Sequence, residues 1–341
     1  RSEPTGVALI SVDRGAQNTI VVAPGANHAL STADVQGLRA VFHGASYALF
    51  QLESPLPSVE AAMRLAREEG AKTILDPAPA QIDAASLLGL VDILTPNESE
   101  ACLLLGRAPA RITAAEAPEL GRALLARGAR AVILKLGEQG AFYCDATGGL
   151  FGPGFAVTAV DTTAAGDTFN AALAVALAEG KEMPDALRFA NAAAAISVTR
   201  ACAQSSVPSR AEVDAFLVAK DILKMQLDGH RLQTPVDQDA VADVRMMLQS
   251  LSQGAAVPPP AQAASIDVGA LPASAPGEAH CFRIELPEVP QRDIDALATE
   301  LGLLGTLSQV SLDDKRFAVM LSPDEGVDAI KVGDLPPRSA R

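Results

Sequence analysis

Val160-Asp161-Thr162-Thr163-Ala164-Ala165-Gly166-Asp167-Thr168-Phe169-Asn170, continued by AALAVALAEG to Gly180, joins two periodicities in one stretch. An apolar β-type run, Phe155–Val160, ends at Asp161-Thr162-Thr163. The small residues Ala164-Ala165-Gly166 then open a long Ala-rich helix predicted over residues 164–178. Such a turn points backbone N–H groups and the positive end of a helix dipole at one spot, which suits an anion such as phosphate. Asp167, at the helix start, can take a proton from a hydroxyl attacking that phosphate. It can equally cap the helix, since Asp favours N-terminal positions. The local sequence leaves both roles open.

Outward from this stretch, strands and helices alternate. Residues 5–12 and 19–22 predict a hairpin around Asp13-Arg14-Gly15, and residues 47–52, 73–75, 91–94 and 131–136 predict four further strands. Helical patterns occupy residues 58–69, 99–105, 117–126 and 184–200. That order implies a mostly parallel sheet with helices on its faces. Beyond residue 217 the character changes. Residues 219–227 and 239–251 predict two helices, residues 254–276 form an Ala/Pro-rich linker with Val257-Pro258-Pro259-Pro260, and a strand (282–286), a helix (293–301) and a strand (316–321) follow.

Composition narrows the function. Of 341 residues 49% are hydrophobic but only 4% aromatic, which favours Ala/Leu/Val-packed helices on a sheet over a base-stacking surface. A net charge of −14 argues against nucleic acid as a partner, because phosphate backbones demand clustered Lys and Arg. Cys102, Cys144, Cys202 and Cys281 are far apart, with no metal spacing, which points to a reduced cytoplasm. No apolar run is long enough to cross a bilayer. P-loop and dinucleotide fingerprints are absent, and His28, His43, His230 and His280 are scattered. The opening RSEPTG lacks an initiating Met, which suggests a start inside a longer gene product.

Four constellations accompany the central stretch. Asn97 and Glu100 in TPNESE have capping-box spacing, yet they stand at the C-terminal end of a strand, where ligands bind in open α/β sheets. Glu100 could hold Mg²⁺ through water. Lys135-Leu136-Gly137-Glu138-Gln139-Gly140 is a strand running into a two-glycine turn, suited to close ligand approach or to a plain hairpin. Glu53 in QLESP is an acid at another strand end, either solvated or facing sugar hydroxyls. The loop Arg200–Ser206 follows a helix. Its carbonyls, with those near Asp161, could surround a monovalent cation.

Residues of about 4–216 resemble the ribokinase-like family of carbohydrate kinases. The resemblance rests on TGVALI, QLESPLPSV, DPAPA, VDILTPNESEA, DTTAAGDTFN, RFANAAAAISVTR and SVPSRAEVDAFL in the family's order, and DPAPA with QLESP points to its ribokinase branch. It implies ATP-dependent phosphorylation of the 5-hydroxyl of ribose or a similar small sugar, on a three-layer αβα fold with a β lid that mediates a homodimer. Carried over by position, Asp167 is similar to the catalytic base, and Ala164, Ala165 and Gly166 to the anion hole. Asn97 and the turn from Lys135 through Leu136, Gly137, Glu138 and Gln139 to Gly140 resemble the nucleotide site, with Asn191 near adenine. Glu100 matches the Mg²⁺-organising Glu, and Glu53 the sugar contact. Asp161, Thr163, Ser197, Arg200, Cys202 and Ser206 match positions holding an activating K⁺, with Cys202 where Gly is usual. The family also begins with a strand, a sugar-binding segment and a G-G-K-G-A-N motif that nothing upstream of Arg1 supplies. The expectation is therefore an N-terminally incomplete domain over residues 1–216, with a partial lid and impaired sugar binding.

The remainder resembles a connector region of chemotaxis histidine kinases, carried by AKDILKMQLDGHRLQTPVDQDAVADVRMMLQSL and FRIELPEVPQRDIDALATELGLLGTL. No histidine lies in a phospho-acceptor context. The implied organisation is a helical segment (217–253), a linker (254–279), a small α/β segment (280–331) and a tail (332–341). A signalling or interaction scaffold is the competing reading. A non-functional chimeric fragment joined near Phe216, where no spacer is present, is a third.

Overall fold

The structure, a computed structural model, describes residues 3–12, 18–233, 235–254, 282–286, 305–311 and 317–323. The chain divides into two compact units, one spanning Leu30–Ala255 and the other made of Arg1–Ala29 with Ala256–Arg341.

In the second unit, β1 (Val7–Val12) and β2 (Asn18–Ala23) pair antiparallel as the expected hairpin, the turn itself lying outside the described residues. The larger unit begins with α1 (Thr32–Gln36) and α2 (Arg39–Phe42). Its sheet holds β3 (Tyr47–Phe50), β4 (Lys72–Leu75), β5 (Ile93–Leu94), β6 (Ala131–Lys135), β7 (Gly140–Asp145) and β8 (Gly149–Pro153) in that order. The first four strands are parallel and the last three antiparallel. Helices α3 (Leu56–Glu68), α4 (Glu98–Leu104), α5 (Ala117–Leu125), α6 (Ala165–Ala178), α7 (Met183–Ser197), α8 (Arg210–Leu232) and α9 (Gln238–Gly254) complete the unit. The small segment contributes β9 (Phe282–Leu286), β10 (Gly305–Ser311) and β11 (Phe317–Pro323), paired in the order β10-β11-β9. The helix expected over residues 293–301, the linker and the tail lie outside the described residues.

Successive strand side chains point to opposite faces. Leu75, Leu94 and Leu134 join one core with Met63, Leu104 and Leu124 of α3, α4 and α5. Their chain neighbours Ile74, Ile93 and Ile133 join the other, with Phe169, Leu187 and Val213 of α6, α7 and α8. Strands covered on both faces read as continuous apolar runs, and the result is a three-layer αβα arrangement.

Two expectations are corrected. Residues 155–160 do not form a strand; the chain leaves the sheet after β8. Phe155 packs edge-to-face on Phe216 with centroids 5.2 Å apart, and Val160 N–H donates to the Val198 carbonyl at 2.7 Å instead of to a ladder. The strands that close the sheet, β7 and β8, come from the glycine-rich stretch after Gly140. The helix expected over residues 219–227 is instead the last part of α8. That helix starts at a capping box between Ser209 and Glu212 and runs unbroken through Phe216 because no Pro interrupts it.

Candidate active site

Parallel strands end on the same side of a sheet, so β3, β4, β5 and β6 deliver Gln51, Asp76, Asn97 and Lys135 to one rim. The turn before α6 meets this rim. Ala164, its N-cap, adopts φ +59°, a left-handed conformation that Ala tolerates only at a cost of roughly 1–2 kcal/mol. Asp167 sits in the first turn, and Gln51 Nε2 donates to its Oδ1 at 2.7 Å. These groups open on a cavity of about 170 Å³ lined by Leu49, Phe50, Gln51, Ile74, Asp76, Asp167 and Asn170.

Beneath the cavity lies a buried polar cluster. Lys135 Nζ donates to Asp76 Oδ2 at 2.7 Å, and Asn170 Nδ2 donates to the same oxygen. Asp76 Oδ1 and Asn170 Oδ1 are buried and have no protein partner. Asn97 and Glu100 close the expected capping box. Glu100 N–H donates to Asn97 Oδ1 at 2.9 Å, and Asn97 N–H donates to Glu100 Oε2 at 2.7 Å. Burial pushes the Glu100 carboxyl above its ordinary value, the Asp76 charge adds to this, and Lys135 opposes it.

That direction fixes a pH dependence. A carboxyl whose folded value lies above 4.5 favours the folded state below that pH and loses this contribution as pH rises through the folded value. Glu100→Gln keeps an acceptor for Asn97 N–H but cannot ionise. Its melting temperature relative to the parent should climb as pH rises from 4.5 to neutrality. A difference independent of pH would refute the buried charge.

The turn after β6 also forms as expected. Gly137 and Gly140 have φ +56° and +104°, and Gln139 is tied to Ile112 and Ala114. Asn191 Nδ2 donates to the Gly152 carbonyl at 3.0 Å, which fixes α7 on β8. Glu53 is exposed and does not line the cavity; Gln51, two residues earlier, does. The loops at Asp161 and Cys202 are joined, since Asp161 accepts from Thr163 N–H at 2.8 Å and Cys202 N–H at 3.1 Å. Burial works against ionisation of Asp161, but these bonds outweigh it and hold the carboxyl below the ordinary range. Ser197 and Ser206 are fully buried and bond to local carbonyls, and Arg200 pairs with Glu212. Among the described residues no group of three or more His, Cys, Asp or Glu could hold a metal.

Cys202 has φ +73°, so the loop imposes a glycine-like conformation on a residue that carries a Cβ. Cys202→Gly should stabilise the chain by about 0.5–1 kcal/mol, the left-handed strain less the added chain entropy. A urea midpoint below the parent's would contradict this.

Sequence reasoning passed over Gln51, Asp76 and Asn170 as site residues. The signals were there: Asp76 directly follows a buried parallel strand, and Asn170 is one helical turn beyond Asp167.

A sequence model for pfkB family carbohydrate kinases matches residues 1–210, and a second, for CheY binding, matches residues 283–332. The chain belongs to the pfkB family of carbohydrate kinases. It is 44% identical over 215 residues to the ribokinase of Haemophilus influenzae, covering 63% of this chain and 70% of that one. The ribokinase of Thermotoga maritima superposes with a TM-score of 0.55 at 41% identity, over 64% of this chain and 71% of that one. Arabidopsis thaliana ribokinase, solved with ribose and ATP, superposes with a TM-score of 0.55 at 32% identity, over 64% and 70% of the two chains.

Proposed function

We propose that this chain is an ATP-dependent kinase that phosphorylates the 5-hydroxyl of ribose. The observation that carries the reading is Asp167 beside the Ala164–Gly166 turn, opening on a cavity at the carboxyl ends of the parallel strands. Asp167 takes the proton from the sugar hydroxyl as its oxygen attacks the terminal phosphorus of ATP, and the bond to ADP breaks in line. Gln51 holds one carboxylate oxygen and so orients the other. Amides of the Ala164–Gly166 turn stabilise the charge on the transferring group, as donors aimed at developing charge do. The Lys135–Gly140 turn takes the nucleotide phosphates, with Asn97 beside it and Asn191 toward the adenine. Glu53, exposed and two residues beyond Gln51, would contact a sugar hydroxyl from outside the cavity lining.

Two ions fit the residues present. Glu100, a buried carboxyl close enough to Asp76 and Lys135 to feel their charges, would hold Mg²⁺ through water. Mg²⁺ would neutralise phosphate charge. The Asp161–Thr163 and Cys202 loops, already tied together, would hold K⁺ with Ser197, Arg200 and Ser206 alongside. The β1–β2 hairpin would serve as lid and as the contact with a second copy.

Ribose-dependent ADP release by the full chain with ATP and Mg²⁺, and ribose 5-phosphate as product, are the expected results. ADP release that does not rise with ribose sinks the reading. The CheY-binding match supports a second activity for residues 283–332, capture of a chemotaxis response regulator. Pull-down of that regulator by the full chain, lost on deletion of these residues, tests it.

A further inference from the structure

We propose that Lys135 is a catalytic cation of this site, stored on Asp76 and extended to the oxygens of the transferring phosphoryl group. This role rests on the kinase reading and adds a side-chain charge to a turn otherwise offering only backbone. Lys135 ends β6, and its Nζ lies 2.7 Å from Asp76 Oδ2, the two side chains being 14% and 6% exposed. The ammonium is also pressed against the anion-hole turn. A Cβ placed on Gly166 would stand 3.2 Å from Nζ and 3.6 Å from Asp76 Oδ2.

For a structural ion pair this is a poor location. The start of a helix carries positive partial charge and repels an ammonium. A buried pair must also satisfy its remaining polar atoms to offset lost hydration. Here it does not, because Asp76 Oδ1 and Asn170 Oδ1 are buried without a protein partner. Both residues line the cavity that holds Asp167, and the other walls include Leu49, Phe50 and Ile74. Lys135 does not itself line the cavity; it lies behind the lining residue Asp76, bonded to it at 2.7 Å.

A phosphoryl group over Gly166 offers the ammonium a second acceptor. Its negative oxygens accept from Nζ, which has three donors and keeps Asp76 while reaching a second partner. The sugar hydroxyls supply donors for the orphaned oxygens of Asp76 and Asn170. Lys135 keeps its proton throughout; only its attraction for the equatorial oxygens grows as charge moves onto them.

The test uses the full chain, with Lys135→Met, Lys135→Arg and the double variant Lys135→Met/Asp76→Asn. Lys135→Met should lower kcat about a hundredfold or more with the KM for ribose little changed, and Lys135→Arg should recover part of the loss. Lys135→Met alone also leaves a buried carboxylate unpaired and should melt lower. The double variant removes that charge and should regain the melting temperature without regaining kcat. If kcat returns with stability, Lys135 is structural and the proposal is overturned. A second readout needs no turnover: the extra melting-temperature rise given by ATP over AMP should shrink in the double variant. An unchanged increment overturns the role of Lys135 even if the parent phosphorylates ribose. A parent with that increment but no ribose-dependent turnover overturns the kinase reading instead, and a parent without the increment overturns both.

Discussion

Asp167→Asn should lower ribose phosphorylation by about a thousandfold, within the range general-base catalysis supplies, while ATP with Mg²⁺ still raises the melting temperature. The substitution preserves shape. An Asn oxygen can accept from Gln51 Nε2 as Asp167 Oδ1 does at 2.7 Å, so the side chain keeps its place at the cavity. What disappears is the ability to take a proton. Helix capping alone predicts the opposite, because Asn and Asp cap helices about equally well. In the structure Ala164, not Asp167, is the N-cap, so the cap reading has already lost its position. Turnover within tenfold of the parent would remove Asp167 from the proton transfer.

Gly140→Ala should destabilise the larger unit by more than about 3 kcal/mol, beyond the usual range of single substitutions. Gly140 has φ +104°, and an added Cβ would stand 2.2 Å from the Gly152 carbonyl oxygen and 2.4 Å from Gly154 N. Both are backbone atoms, one inside β8 and one just after it, so no rotamer change relieves the clash. Gly154 is the reciprocal case, its Cβ meeting the Glu138 oxygen at 2.3 Å. Gly137→Ala is the control. Gly137 has φ +56° but no atom within 4 Å of its Cβ, so only left-handed strain of about 1–2 kcal/mol applies. Urea midpoints of the two variants should therefore differ clearly. Equal midpoints would mean that the β8 exit yields, and with it the rigidity of the proposed nucleotide turn.

Much of this was legible in the sequence because the controlling interactions are local. Asn97 and Glu100 announce a capping box three residues apart, and that box is present. Helices α3 to α7 fall within a few residues of their predicted bounds, since each is an apolar stripe bounded by turn residues. The family resemblance, carried by seven ordered runs, agrees with the match over residues 1–210. The errors arose where the partner is distant. Residues 155–160 alternate like a strand, but Phe155 has a better neighbour in Phe216, sixty-one positions on. Residues 219–227 read as a separate helix because the character of the sequence changes near residue 217, whereas the backbone hydrogen bonds of α8 continue across that point.

By itself the sequence determined the parallel α/β class, the turn at Ala164–Gly166, Asp167 at its helix start and the glycines of the Lys135–Gly140 turn. Each follows from periodicity, capping or conformational freedom within a few residues. Only the tertiary structure decided that Gln51 rather than Glu53 reaches Asp167, and that Lys135, Asp76 and Asn170 form one buried cluster beneath it. Asp76 and Lys135 are fifty-nine residues apart and meet because β4 and β6 flank the same short strand in a parallel sheet. Side-chain charges at such separations leave no periodic trace in a chain. Their pairing is set by strand order, which the packing of the two cores decides.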